Sequence, residues 1–388
     1  MKNALVSQVK ARFSERFGRS PLAVAYAPGR VEILGNHTDY NDGVVLSAAI
    51  DHGVAVAAAS KPGATAGLTA MDLAEEASFG VPVRQPLDLP LWAKYIAGVA
   101  AKLEQHGAHP SAFDLAFSGN VPQGAGLSSS AALEVSTALA LSALWAFECD
   151  RIELAKICQA AENEYTGAHC GLLDQFSSLF GSGNGLVYSD FRTLSVSSVS
   201  LGGDACFVVA DTHVKHSLVA SEYNERRARC EEAAAAFARL LDHPVKALRD
   251  VSLEEWTRHS SSLDPVTARR ALHVIGENTR VFQACDLLSR GDLRAFGRLM
   301  FESHESSIRN FENSCPELDF LVEAARALPQ ALGARLSGGG FGGSVVILTA
   351  PENAKAVGAA VAERFNGRYG RHCDIRLIRP SACAALAD

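Results

Sequence analysis

The stretch Pro122-Gln123-Gly124-Ala125-Gly126-Leu127-Ser128-Ser129-Ser130 decides how the chain is read. Its glycines let the backbone fold amide groups inward, and its serines open an apolar run of helical spacing through Ala131, Ala132, Leu133, Val135 and Leu139. Free N–H groups at a helix start and several hydroxyls then converge on one point, which suits a phosphate. A Ser-capped helix after a Gly turn is the plainer reading of the same residues. The motifs around it have to decide.

Outward from this loop, residues 113–118 read as a strand leading in, and helices are expected at about 129–147 and 151–165, so the loop joins strand to helix. Toward the N-terminus lie an amphipathic helix ending before Gly18, short strands at 22–26 and 31–34 around Ala27-Pro28-Gly29-Arg30, β structure at 44–50 and 53–59, and a helix at 91–105. Toward the C-terminus come a short helix at 172–180, a turn-rich segment at 181–185 and strands at 186–189 and 206–211. Helices are expected at 217–241, 264–289, 292–310 and 352–366, with strands at 334–337, 344–349 and 374–378. The class is α+β in two lobes, residues 1–190 and 191–388, with the site in the cleft between them.

Composition bounds the function. A chain of 388 residues is too long for one ordinary core, and 48% hydrophobic with 20% charged residues describes a globular protein. Net charge is −7 and no dense Lys/Arg block occurs, so no nucleic-acid partner is expected. Nine scattered cysteines without a CxxC pair read as free thiols of a reducing, cytoplasmic protein. No apolar run reaches spanning length, so no membrane attachment is expected. Oligomeric state has no signature.

A competing nucleotide motif fails on context. Gly338-Gly339-Gly340-Phe341-Gly342-Gly343 satisfies G-x-G-x-x-G, but Ser344-Val345-Val346-Ile347-Leu348 follows it where a dinucleotide fold needs a helix. It reads better as a glycine hairpin close to a ligand. A Walker-type G-x-x-x-x-G-K-[ST] loop is absent from the sequence.

Taken together the motifs resemble those of the GHMP kinases, and within them the galactokinase branch. Pro28-Gly29-Arg30-Val31 leading to His37-Thr38-Asp39-Tyr40-Asn41-Asp42-Gly43 is similar to the family's first motif, Gly126–Ala131 to the second and Gly338–Gly343 to the third. Gly171-Leu172-Leu173-Asp174-Gln175-Phe176 resembles the catalytic segment. His216-Ser217-Leu218 through Arg227, and Glu302-Ser303-His304 through Leu318, resemble stretches special to the branch.

The resemblance implies a two-lobed GHMP kinase fold with mixed sheets, ATP and Mg2+ as cofactors, and phosphorylation of the anomeric C1 hydroxyl of galactose. It implies a phosphate cradle of Gly124, Gly126, Leu127, Ser128, Ser129 and Ser130, with Ser130 and Glu162 holding magnesium, directly or through water. Trp92 and Tyr95 match adenine-side aromatics, though residues so spaced also serve as a core-facing helix stripe. Asp174 stands as the base for the sugar hydroxyl with Arg30 beside it, against the plainer readings of a helix cap and a surface arginine. Asn36, His37, Asp39, Gly171 and Tyr223 match sugar-binding positions. A His on an apolar strand is otherwise a satisfied core residue, and His37 with Asp39 lacks a third ligand for a metal site.

One departure bears on the substrate. The family usually reads Gly-Glu-His-Thr-Asp, the Glu accepting from the sugar's 6-hydroxyl, whereas here the segment is Gly35-Asn36-His37-Thr38-Asp39, and Glu32 stands where Asn is usual. Asn36 could accept from a hydroxyl or donate to a carboxylate. The alternatives to a galactokinase are therefore a kinase for a C6-modified galactose such as galacturonic acid, and a non-catalytic galactose sensor. The presence of Asp174, Arg30, Ser130 and Glu162 together favours an enzyme.

Overall fold

Two long strands of small and β-branched residues organise the first half of the chain. The computed structural model describes residues 2–84, 88–122, 124–167, 170–202, 204–215 and 219–387. Helix α1 (Lys2–Phe17) precedes β1 (Ala23–Leu34) and β2 (Val44–Ser60), which pair antiparallel from Ala23↔Ala58 to Leu34↔Leu46. The register shifts at Pro28/Arg30 and at Glu32/Leu34. Pro28 has no N–H for the ladder, and such irregularities re-aim the side chains that follow. The short strands expected on either side of Pro28-Gly29 are thus one continuous strand, as are those expected around Asp51-His52.

A hairpin of β3 (Thr65–Ala70) and β4 (Glu75–Gly80) follows, then α2 (Leu91–Gln105), β5 (Phe113–Gly119), α3 (Ser129–Leu144), α4 (Arg151–Thr166), α5 (Leu173–Phe180), β6 (Gly185–Asp190) and β7 (Ser195–Ser200). Asp150 caps α4 by accepting from Glu153 N, and Gly167 at φ +80° ends it. The second half comprises β8 (Cys206–Lys215), α6 (Val219–Leu240), α7 (Leu253–His259), α8 (Pro265–Ser289), α9 (Leu293–Ser306), α10 (Pro316–Arg326), β9 (Ala331–Ser337), β10 (Gly342–Thr349), α11 (Ala354–Tyr369), β11 (Asp374–Ile378) and β12 (Ala385–Leu386). Asp264 caps α8 with Pro265 in its first turn.

The strands form two sheets. One runs β12-β1-β2-β5-β3-β4, with β6 on β2 and β7 on β6; the other runs β11-β8-β10-β9. The first sheet therefore continues past residue 190 through β7, and the C-terminal β12 returns to pair with β1, so the second half of the chain is not wholly separate from the first. Helices α2 to α5 cover one face of the first sheet around Val56, Leu115, Ile96, Leu141 and Phe176, and α1 covers the other through Val9 and Phe13. Between the lobes a shared core joins Val31 and Ile33 to Phe207, Phe296 and Val346 and includes Ala125 and Leu127 of the Gly/Ser loop. All nine cysteines are unpaired. No helix among the described residues is long and apolar enough to cross a membrane.

Helix α9 lies against β9 through glycine on both sides. A Cβ on Gly297 would sit 2.1 Å from the Leu332 carbonyl oxygen, and one on Gly333 2.4 Å from that of Gly297. Gly→Ala in a helix ordinarily stabilises by about 1 kcal/mol. Here the sign should reverse: Gly297→Ala is expected to destabilise by about 1–3 kcal/mol through overpacking. Chemical denaturation checks it, and a gain in stability would mean that helix and strand do not touch here.

Candidate active site

The Gly/Ser loop is anchored by its apolar residues and opens with its polar ones. Ala125 and Leu127 are buried, while Gly124, at φ +76°, is exposed and Gly126, at φ +68°, half-buried. Gln123 lies outside the described residues. Leu127 supports the cradle from behind: its side chain fills the interlobe core and its carbonyl accepts from Arg30 N at 3.0 Å. Ser128 does not cap α3. It takes a left-handed conformation, φ +54°, and its hydroxyl donates to Asp174. Ser129 and Ser130, the first residues of α3, line the cavity beside the loop.

The third glycine motif closes the loop from the other lobe. Ser344 Oγ donates to Ala125 O at 2.7 Å, and a Cβ on Gly126 would come within 3.0 Å of Ser337 O. The hairpin reading of Gly338–Gly343 holds, since β9 and β10 flank it in antiparallel register.

Asp174, at the start of α5, is gripped from two sides. Arg30 Nε donates to its Oδ1 at 2.7 Å and Nη2 lies 2.6 Å from the same oxygen, while Ser128 donates to Oδ2. Arg30 also donates to Gly126 O, so one guanidinium spans loop and carboxylate. Asp39 lies on the same cleft: a Cβ on Gly171 would fall 1.8 Å from Asp39 Oδ2, so only glycine admits that carboxylate. Tyr223 of α6 closes the far side, its ring 5.1 Å from His37 and 5.7 Å from Tyr40. The neighbouring segment His216-Ser217-Leu218 lies outside the described residues.

Asn36 and His37 reach the site with their side chains already engaged. Asn36 Nδ2 donates to Glu32 Oε1 at 2.8 Å and to Gly338 O at 2.9 Å, and its Oδ1 accepts from Asn313 Nδ2 at 2.9 Å. Both amide protons are thus used inside the protein. His37 Nε2 meets Gly339 O at 3.1 Å, which can only accept, so Nε2 carries the proton and Nδ1 accepts from Tyr40 OH at 2.8 Å. Burial pushes the imidazole down to about 4, which keeps it neutral.

Sequence reasoning missed the supports of this loop. Glu277 of α8 accepts from Gly35 N and Asn36 N, each at 2.9 Å, and from Ser303 Oγ at 3.0 Å. Burial alone would raise its carboxyl, but Arg280, His273 and Arg335 hold it well below the usual range. Arg335, fully buried on β9, donates to Glu32 Oε1 at 2.9 Å. An arginine inside the apolar run Ala334-Arg335-Leu336 was the available signal.

On the other side of the loop a cavity of about 420 Å3 is lined by Trp92, Tyr95, Leu73, Phe117, Ser129 and Ser130, among others. Trp92 and Tyr95 are half-buried on its wall, and Trp92 Nε1 donates to Glu75 Oε2 at 2.6 Å. Glu162 of α4 lies beside Ser130, its Oε2 accepting from Cys170 Sγ and Gln175 Nε2 at 3.1 Å each. Burial, then the charge of Asp174, raises its carboxyl.

Burial, then the charges of Glu32 and Asp174, pushes Asp39 up to about 7. The folded ligand-free protein then holds a proton that the unfolded chain releases near pH 4, so this contribution to stability is full below that pH and is lost as pH rises through about 7. Asp39→Asn should flatten that fall between pH 5 and 8; an unchanged slope in thermal melts would remove Asp39 from the buried cleft. Separately, Asn36→Glu sets a second carboxylate against Glu32 and leaves Gly338 O without its donor. The single variant should be less stable, and Glu32→Asn added to it should recover at least about 1 kcal/mol in a double-mutant cycle. Additive effects would mean the two side chains do not interact.

The family model described as GHMP kinases N terminal domain matches residues 94–182, that of the GHMP kinases C terminal matches 284–367, and the Galactokinase galactose-binding signature matches 11–60. The chain is 31% identical to a galactokinase of Lactococcus lactis, solved in complex with galactose, over 98% of this chain and 99% of that one, with a TM-score of 0.93. A mevalonate kinase from Methanococcus jannaschii (18% identity, 93% of this chain and 99% of that one, TM-score 0.64) and a homoserine kinase from Cytophaga hutchinsonii (18%, 94% and 97%, 0.62) share the fold. With matched segments in both lobes and near-complete coverage of a relative at that identity, the chain belongs to the GHMP kinase family, in its galactokinase branch.

Proposed function

We infer that this sugar kinase transfers the γ-phosphoryl group of ATP to the anomeric C1 hydroxyl of galactose. The observation that carries the reading is the position of Asp174, held by Arg30 and Ser128 where the cradle meets the sugar loop. Phosphoryl transfer leaves the protein mostly positioning and charge stabilisation. Asp174 accepts or orients the C1 proton, so that the sugar oxygen faces the γ-phosphorus. Arg30 orients that carboxylate through its Nε and, through its contact with the loop, stands close to the charge that develops on the moving group. The α3 amides and the hydroxyl of Ser129 receive the phosphates, while Ser128, beside them in the cradle, keeps its proton on Asp174, and the cavity beside Trp92 and Tyr95 takes the adenine.

Magnesium fits the residues beside the cradle. Glu162 is 7% exposed, Ser130 lies against it, and Glu134 Oε1 is buried without a partner among the described residues, so the pocket is rich in hard oxygen atoms. Bound there by Ser130 and Glu162, the ion would screen the phosphate charge.

Sugar recognition falls to Asp39, Gly171 and Tyr223, with Asn36 and His37 forming the wall behind. The surroundings favour a neutral C6 substituent: donation from Asn36 to a C6 carboxylate would have to break its bond to Glu32 or to Gly338 O, both of which already hold its amide protons. Nine unpaired cysteines support a reducing compartment, and we place the enzyme in the cytoplasm.

Phosphorylation of galactose, N-acetylgalactosamine, galacturonic acid, arabinose and glucose at fixed Mg-ATP should rank galactose first and galacturonic acid far below it. Asp174→Asn should bind galactose and ATP normally yet lose about 10²–10⁴-fold in kcat. A panel led by galacturonic acid would overturn the substrate, and near-normal turnover of the variant would overturn the base.

A further inference from the structure

Behind the cradle, one amide joins two buried carboxylates. Gln175, fully buried on α5, donates through Nε2 to Glu134 Oε2 at 3.0 Å and to Glu162 Oε2 at 3.1 Å. Glu134 lies on α3, one turn past Ser130, and is also fully buried. The two carboxyl groups thus share one side of a single amide. Its carbonyl and Glu134 Oε1 have no hydrogen-bond partner among the described residues. Such orphans are uncommon in a core and mark a site where polarity is kept for a reason other than packing.

We propose that Glu134 and Gln175 are positioning residues that hold the Glu162 carboxylate toward Ser130 for the divalent cation. The inference rests on the metal reading above. Glu162 Oε2 is fixed by two donors, Gln175 Nε2 and Cys170 Sγ, which leaves Oε1 as the oxygen for the cleft. Without Gln175 the side chain can turn about its terminal torsions. Without Glu134 the amide loses the acceptor that fixes it. Gln175 directly follows Asp174, so the same amide ties the helix that carries the base to α3, which carries Ser130, and to α4, which carries Glu162. Metal placement and base placement are thereby referred to one another.

The test compares Glu134→Leu, Glu134→Gln and Gln175→Leu with Glu162→Gln as the control. The probe is Mn2+, and the readout is its affinity for the enzyme–ADP complex, followed by the loss of the free Mn2+ electron paramagnetic resonance signal, beside galactose affinity and thermal stability. Removing a partner that orients a metal ligand typically costs about 10–100-fold in metal affinity. Glu134→Leu and Gln175→Leu should weaken Mn2+ at least about tenfold on that scale, with galactose affinity kept. Glu134→Gln retains an acceptor for Gln175 and should stay within about twofold. If Glu134→Leu does not fold, Gln175→Leu alone carries the comparison. Unchanged Mn2+ affinity in the Leu variants while Glu162→Gln weakens it would overturn the positioning role and leave the metal site standing. Parallel losses of Mn2+ and galactose affinity, with no rescue by Glu134→Gln, would reduce both residues to packing and overturn it too. An unaffected Glu162→Gln would remove the metal reading itself, and the inference with it.

Discussion

The ion pair between Arg30 and Asp174 is the contact on which the arrangement of this molecule depends. Arg30 comes from the strand that opens the sugar loop, Asp174 from the first turn of α5, and Ser128 and Gly126 from the loop before α3. Three segments far apart in sequence therefore meet on one carboxylate. Taking such a pair out of water is costly, and replacing it with apolar residues often stabilises a protein. Its retention in a cleft that is only partly exposed makes sense where the pair has chemistry to perform.

The second constraint is a polar layer beneath the sugar loop. Glu277 receives the backbone of Gly35 and Asn36, Arg335 neutralises Glu32, and Asn36 links Glu32 to Asn313 and Gly338. The loop thus rests on side chains from α8 and β9 and from the segment before α10, all of the second half of the chain. Asn36 and Glu32 work as one hydrogen-bonded unit. The departure from the family pattern at position 36 cannot be weighed without the matching departure at position 32.

Much of this was legible in the sequence, for physical reasons. The Gly/Ser loop, the hairpin and the long helices carry strong local signals: left-handed glycines, β-branched alternation, and Asp-Pro at the start of α8. Strand β11 was read over its full extent. The hairpin of β3 and β4 and the Ser-rich β7 were not anticipated, because β4 and β7 are exposed strands of small and polar residues, and β3 alternates Ala66, Leu68 and Ala70 with residues too small or weakly polar to mark a strand. The continuity of β1 through Pro28 was hidden by the residue that interrupts its ladder. The identities of Asp174 and Arg30 stood out through their motifs, but their mutual grip did not, since partners 144 residues apart leave no trace in spacing. Ser128, expected in the phosphate cradle, gives its hydroxyl to Asp174 from a left-handed backbone that sequence alone does not announce for serine.

The central claim is transfer to the anomeric oxygen, and the direct test is carbon NMR of the product formed from galactose labelled with 13C at C1. The account predicts that the C1 resonance of the product is split by coupling to phosphorus through the new C1–O–P linkage, with one ADP released per sugar converted. An unsplit C1 signal in a phosphorylated product, or ADP release without sugar conversion, would contradict it.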